Sequence, residues 1–189
     1  ERKRLKVVLK KLIFPLLVCM FVLFDAMGAD AAPRSIQIED MALGGIYPSS
    51  TESDVRNVYG APDKEEEVPG NAWGDTKIAY YGTGYSMSYF GKKFDTDHTY
   101  VLNIVTTNPA ISMPSGIHVG MHITEALAVF SDLKKISSNH YGSPHLWGTS
   151  GIKGQPFQRI LSIEVDQHQV IKQIRILDVY DPEVNLNAI

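Results

Sequence analysis

Cysteine is nearly missing from this chain: of 189 residues only Cys19 carries a thiol, and it lies inside an apolar run near the start. One cysteine cannot close an intrachain disulfide, so a disulfide-stapled scaffold is excluded and the fold must rest on its core. A basic excess is missing too. Lys and Arg number 18 against 21 Asp and Glu, for a net charge of −3, which argues against nucleic acid or anionic lipid as the main partner. Low-complexity tracts are absent, and beyond the first thirty residues no apolar run is long enough to span a bilayer. The chain also lacks the G-x-x-x-x-G-K-[ST] phosphate loop and the G-x-G-x-x-G turn. Gly84-Tyr85-Ser86-Met87-Ser88 lacks the closing glycine of a nucleophile elbow. No catalytic residue and no cofactor are therefore expected.

What is present first is a leader. Arg2, Lys3, Arg4, Lys6, Lys10 and Lys11 precede an uncharged stretch from Leu12 to Phe24, and the small-residue run AMGADAAP follows Asp25. Basic, then apolar, then small is the secretory signal layout. Thirteen residues at about 1.5 Å each make roughly 20 Å of helix, short of a hydrocarbon core of about 30 Å, so a cleaved signal fits better than a permanent anchor. Ala29-Asp30-Ala31 supplies the A-x-A cleavage pattern, with Ala31 as the last residue removed. Cys19 follows Val18 rather than a small residue, so lipidation is not expected. Removal of residues 1–31 leaves 12 cationic and 18 anionic side chains, net −6, and no cysteine. The expected location is extracytoplasmic, secreted or periplasmic, with the membrane met only through the leader before cleavage.

The remaining chain resembles itself. At an offset of 71, Gly45 meets Gly116, Ile46 meets Ile117, Asp54 meets Glu125, Val58 meets Val129 and Tyr59 meets Phe130. Each segment reads as a loop entering a short helix, with Ser50, Thr51, Ser53, His122 and Thr124 as polar caps near acidic first-turn residues. Val55, Val58 and Tyr59 make an apolar stripe in one copy, and Ala126, Leu127, Val129 and Phe130 in the other. Strand-like runs follow at Lys77 to Tyr81, Tyr85 to Phe90, Tyr100 to Thr106, Arg159 to Asp166 and Gln169 to Val179; near the end His98 meets His168 at an offset of 70. The alternation on either side of Asp166-Gln167-His168 predicts an antiparallel hairpin with one buried face. The expected fold is α+β: two tandem helix-plus-antiparallel-β-meander repeats forming a curved sheet with helices on one face. The expected organisation is a leader over 1–31, a linker over 32–41, repeat 1 over 42–110, repeat 2 over 111–181 and a tail over 182–189.

The helix-entry glycine, the helix ending in YGAPDK (59–64), the aromatic strand YYGTGYSMSYF (80–90) and the final strand VIKQIRI (170–176) resemble the tandem β-lactamase-inhibitor-like fold. Its single-unit relatives are the small bacterial outer-membrane assembly lipoproteins of the BamE (SmpA/OmlA) type. The resemblance covers most of residues 42–180 through short motifs, and it implies an extracytoplasmic binding module without catalysis. It departs from both groups in having neither disulfides nor a well-placed lipidation cysteine.

Among polar candidates, His118 and His122 stand four apart, with His140 and His145 later, but no third ligand accompanies the pair, so solvated loop histidines are expected rather than a metal site. Asp95-Thr96-Asp97-His98 reads as a hairpin loop, and Glu65-Glu66-Glu67 as a solvated edge. The aromatics are denser. Trp73, Tyr80, Tyr85 and Tyr89 crowd the first strands, while Tyr141 and Trp147 lie in the matching region of the second half. Neighbours such as Tyr80 and Tyr81 point to opposite faces of a strand, so both faces carry rings. Trp73, Tyr80, Tyr85, Tyr89, Tyr141 and Trp147 are the expected protein-interface residues. The expected function is a non-catalytic binding module that recognises a protein or an envelope component through an aromatic-rich sheet face. An extracytoplasmic enzyme and a structural envelope protein are the alternatives.

Overall fold

The computed structural model of the chain describes residues 32–71, 74–91, 99–149 and 156–179. The leader with Cys19 and Ala31, the loop Asp95 to His98 and the tail 182–189 lie outside the described residues.

Among the described residues nine strands dominate: β1 (Lys64–Asn71), β2 (Gly74–Tyr80), β3 (Tyr85–Gly91), β4 (Tyr100–Thr106), β5 (Lys134–Ser137), β6 (His140–Gly142), β7 (Leu146–Thr149), β8 (Pro156–Val165) and β9 (Ile171–Val179). They form one antiparallel sheet in the order β1-β2-β3-β4-β9-β8-β6-β5, with β7 paired to the other part of β8. The helices are short, α1 (Glu52–Tyr59) and α2 (Ile123–Val129), and a 3-10 turn covers Ile38–Asp40.

The expected pair of helix-plus-meander repeats is overturned by this count. The described residues are β-rich and build a single sheet, and the α-helices among them have only 8 and 7 residues. The two halves are also built differently. Residues 42–110 supply four sequential strands, whereas 111–181 supply five, three of them only 3 or 4 residues long. The reason is local. The Glu-rich segment after Lys64 is an edge strand, β1, which bonds on one side only, to β2; charge on such an edge blocks unwanted pairing. The Ser/Asn/Gly cluster around 137–144, which reads as punctuation, contains the tight turn from β5 into β6 and β6 itself.

Register explains the core. Residues directly opposite in an antiparallel pair share a face, and Ala79, Met87, Ile104, Ile176 and Leu161 are matched across five strands. Lys77, Tyr89 and Val101 form a second such row, and Thr106, Ile174, Ile163 and Tyr141 a third. All of them are buried, and they join Val55 of α1, Ile123 and Ala126 of α2, and Phe130. Both helices thus cover one face of the sheet. Their caps form as the spacing suggests: Thr51 exchanges hydrogen bonds with Asp54, and the His122 N–H donates to Glu125. The stripe is narrower than expected, since Val58 is exposed.

The segment read as a linker over 32–41 is tied into the core. Ile36 and Met41 are buried, and Arg34 makes a parallel bridge to Phe130. The Ile36 N–H donates to Asp132. Arg34 grips Asp40 through two bonds of 2.6 Å, and the Gln37 N–H donates to the same carboxylate at 2.8 Å. The Arg34 hydrogen bond, above all, holds the Asp40 carboxyl below its ordinary value. A carboxylate with a depressed folded-state pKa stabilises the fold above its unfolded pKa, and that contribution disappears as pH falls through the folded one. Asp40→Asn is therefore expected to cost about 1–2 kcal/mol near neutral pH, reduced from the full worth of charged hydrogen bonds because Arg34 is half in water. Urea titrations of both proteins at pH 7 and pH 3 check this: the gap should narrow at the lower pH.

Candidate functional site

The six expected interface residues separate. Tyr85, Tyr89 and Tyr141 are core residues, at 2 %, 0 % and 6 % exposure, so they cannot anchor a partner on the surface. Alternation places them on the helix-covered side. Tyr85 donates to the Leu43 carbonyl at 2.7 Å and packs against the rings of Tyr59 and Tyr81. Burial pushes the hydroxyls of Tyr85 and Tyr89 far above the ordinary tyrosine value. Tyr141 donates to Gln169 at 2.9 Å. Tyr80, half-buried, faces the other way. Its hydroxyl donates to Glu66 at 3.0 Å, an acceptor bond that raises its pKa, and Glu66 is itself paired with Lys64. Trp73 lies outside the described residues; Trp147 belongs to β7, opposite Gln158, and its side chain lies outside the described set.

The face opposite the helices is set by the same register. Tyr80 with Ser86, Ile78 with Ser88, Asn103 with Leu177, Val105 with Arg175, and Ser162 with both Arg175 and Gly142 are matched pairs. Most of these side chains are partly accessible. Small hydroxyls, an amide, a guanidinium and isolated aliphatics replace the continuous apolar rows of the covered side.

Within this face lies a cavity of about 110 Å³ lined by Ile136, His140, Ser143, Ile160, Ser162, Arg175 and Leu177, among others. Four strands line it, β5 through Ile136. Ser162 from β8 and Arg175 from β9 stand opposite each other, and His140 of β6 brings Nε2 to 2.8 Å from Ser162 Oγ. Gly142 leaves the space that Ile136 fills, since a Cβ there would come within 2.5 Å of Ile136 Cδ1. Two polar atoms on this face are unmatched. Arg175 Nε and Asn103 Oδ1 are buried and lack a hydrogen-bond partner among the described residues. Such groups cost about 1–3 kcal/mol each when left unpaired, which makes them natural places for a ligand's polar atoms.

The His140–Ser162 contact has the reach of a base and a nucleophile. Among the described residues, however, no carboxylate hydrogen-bonds His140, so the group that orients a catalytic imidazole is missing. Elsewhere, His118 Nδ1 contacts its neighbour's carbonyl at 2.8 Å and His122 Nδ1 contacts the Thr124 hydroxyl at 2.8 Å; both bonds are local.

The remaining buried charges are structural pairs on the covered side. Lys77 donates to Glu52 at 2.5 Å beneath α1, and Arg56 donates to the other Glu52 oxygen. Arg159 holds Asp178 bidentately at 2.6 and 2.8 Å and also donates to the Pro48 carbonyl.

Sequence reasoning singled out His140 only as one of several histidines and missed Ser162, Arg175 and Asn103. The signal lay in the alternation itself, because Ser162 and Arg175 are polar residues interleaved with apolar ones in β8 and β9. No family model, no curated protein and no solved structure matches the chain at a significant level, so the resemblance to inhibitor-like and assembly-lipoprotein folds rests on its short motifs alone.

Proposed function

We propose that this chain is a non-catalytic binding module that acts outside the cytoplasm and recognises another protein through the helix-free face of its sheet. One observation carries the reading: that face combines half-buried Tyr80, aliphatics and small hydroxyls with two buried, unmatched polar atoms, Asn103 Oδ1 and Arg175 Nε. Interfaces are assembled from such material, aromatic and Arg anchors with few charges at the centre. The extracytoplasmic part rests on the leader pattern of residues 1–31 and on the absence of cysteine from residues 32–189. Of the six residues expected at the interface, Tyr80 is the one whose described side chain lies on this face.

Immobilised full chain, incubated with envelope extract and culture medium, should retain a stoichiometric protein that also binds after purification. Tyr80→Ala combined with Ser88→Arg alters only the helix-free face and should weaken that binding by tenfold or more, corresponding to about 1.4 kcal/mol. Undiminished binding by this double variant, with its circular dichroism unchanged, would remove the face from consideration.

A further inference from the structure

We infer that the cavity between β6, β8 and β9 is a recognition pocket for a carboxylate carrying a short branched aliphatic group, the chemistry presented by a protein chain ending in valine. The inference rests on the binding-module reading and names what its face would grip. Its foundation is one unmatched guanidinium nitrogen, sealed from solvent, beside apolar walls. Arg175 Nε points no hydrogen bond at any described residue, although the atom is buried. A guanidinium fork fits a planar carboxylate with two parallel bonds. Beside it, the Ser162 hydroxyl and His140 Nε2, 2.8 Å apart, offer further polar partners. Ile136, Ile160 and Leu177 complete the lining with aliphatic surface.

Size and charge narrow the ligand. The volume is about 110 Å³, whereas a cavity of roughly 150 Å³ accommodates benzene. A carboxylate and one short branch fill the space, and the rest of a longer ligand must lie outside. The charge balance favours a monoanion. Arg175 is the only Lys or Arg in the lining, and Glu164 stands opposite His140 with its own charge committed to Lys172 at 3.1 Å. A phosphate dianion would meet one cation where it is best served by several.

The test uses the full chain, labelled with nitrogen-15, and three ligands: N-acetyl-Gly-Gly-Val, its C-terminal amide, and isovalerate. Inorganic phosphate serves as the competing anion. Both acids should shift the amide resonances of Gly142, Ser162 and Arg175 saturably, and the peptide amide should not. A tighter fit for the peptide than for isovalerate identifies a chain terminus as the source; equal affinities identify a free small acid, and either result sustains the carboxylate pocket. Arg175→Gln should weaken acid binding at least about tenfold, the scale of one charge-assisted bond. Ile136→Asp, at a residue 55 % exposed, provides a second variant that leaves the core untouched and sets a like charge at the rim, so it should weaken both acids too. The inference falls if the amide binds as well as the acid, if phosphate binds more tightly than either acid, if Arg175→Gln in its native fold binds unchanged, or if nothing saturates. Acid binding by a chain whose face variants keep their protein partner removes the reading of the face and leaves the pocket. The reverse pattern removes the pocket's ligand and leaves the face.

Discussion

Replacing Arg159 with Met is expected to lower the unfolding free energy by about 3–5 kcal/mol, the usual cost of stranding one member of a buried ion pair. The two side chains are 5 % and 0 % exposed. Asp178 receives both Arg159 bonds and one from Ser49 at 3.1 Å. Even so, desolvation is the larger influence and raises its pKa above the ordinary carboxylate value. Without the guanidinium, burial acts with nothing comparable to offset it. Pairing Arg159→Met with Asp178→Leu should recover most of the loss, since apolar replacements of a buried pair are often neutral or better. The pH dependence has a definite sign. A carboxyl whose folded pKa is raised binds its proton more readily in the folded state, so stability falls as pH rises from the unfolded pKa through the folded one. The single variant should therefore regain stability on acidification, opposite to the behaviour expected of Asp40. Urea melts of the single and double variants between pH 4 and pH 8 decide it; equal losses in both, with no pH trend, would show that the pair contributes little.

Tyr85→Ala is expected to cost about 3–5 kcal/mol, as for other large aromatic truncations in cores. Its ring is one of three, with centroids 5.3 Å from Tyr59 and 6.5 Å from Tyr81. Its hydroxyl holds the Leu43 carbonyl just as Tyr59 holds that of Gly44 at 2.6 Å. Together the two phenols anchor the turn that leads from the amino-terminal segment to α1. Tyr85→Phe keeps the ring and removes one of the two hydrogen bonds that the Leu43 carbonyl accepts, the other coming from the Ile46 N–H, so it should cost about 0.5–1.5 kcal/mol. Thermal and denaturant melts of the two variants separate ring from hydroxyl. A loss of partner binding in Tyr85→Ala would accordingly report unfolding, whereas Tyr80→Ala reports the surface; comparable melting of Tyr85→Ala and the parent would contradict the burial.

How much of this was legible in the sequence depends on range. Local features were readable: the caps at Thr51 and His122, the turn at Asp166 to His168, and the opposed directions of Tyr80 and Tyr81. Each is fixed by hydrogen bonds or geometry within a few residues. Strand β1 was not readable, because Glu65 to Glu67 carry no apolar alternation and are held by pairing to β2. Which face each tyrosine joins was not readable either. Alternation assigns opposite sides, and only the placement of α1 and α2 determines which side is dry. The charges Lys77, Glu52, Arg159 and Asp178 occupy positions that apolar patterning reserves for the core, and their partners lie 19 to 25 residues away. The pocket is hidden for the same reason, since Ser162 meets His140 across 22 positions.

The β4–β9 pairing has a kinetic consequence. It joins Asn103 to Leu177 and Thr106 to Ile174 in the middle of the sheet, while Arg34 waits for Phe130. Strands β1 to β4, and β8 with β9, pair between sequence neighbours, so β4–β9 is the pairing that joins the two halves. A sheet held by such distant contacts pays the loop-closure entropy early and is expected to fold in milliseconds to seconds. Until β9 docks on it, the free edge of β4 stays open to other strands. Refolding should therefore slow markedly when Ile174 or Ile176 is shortened to alanine.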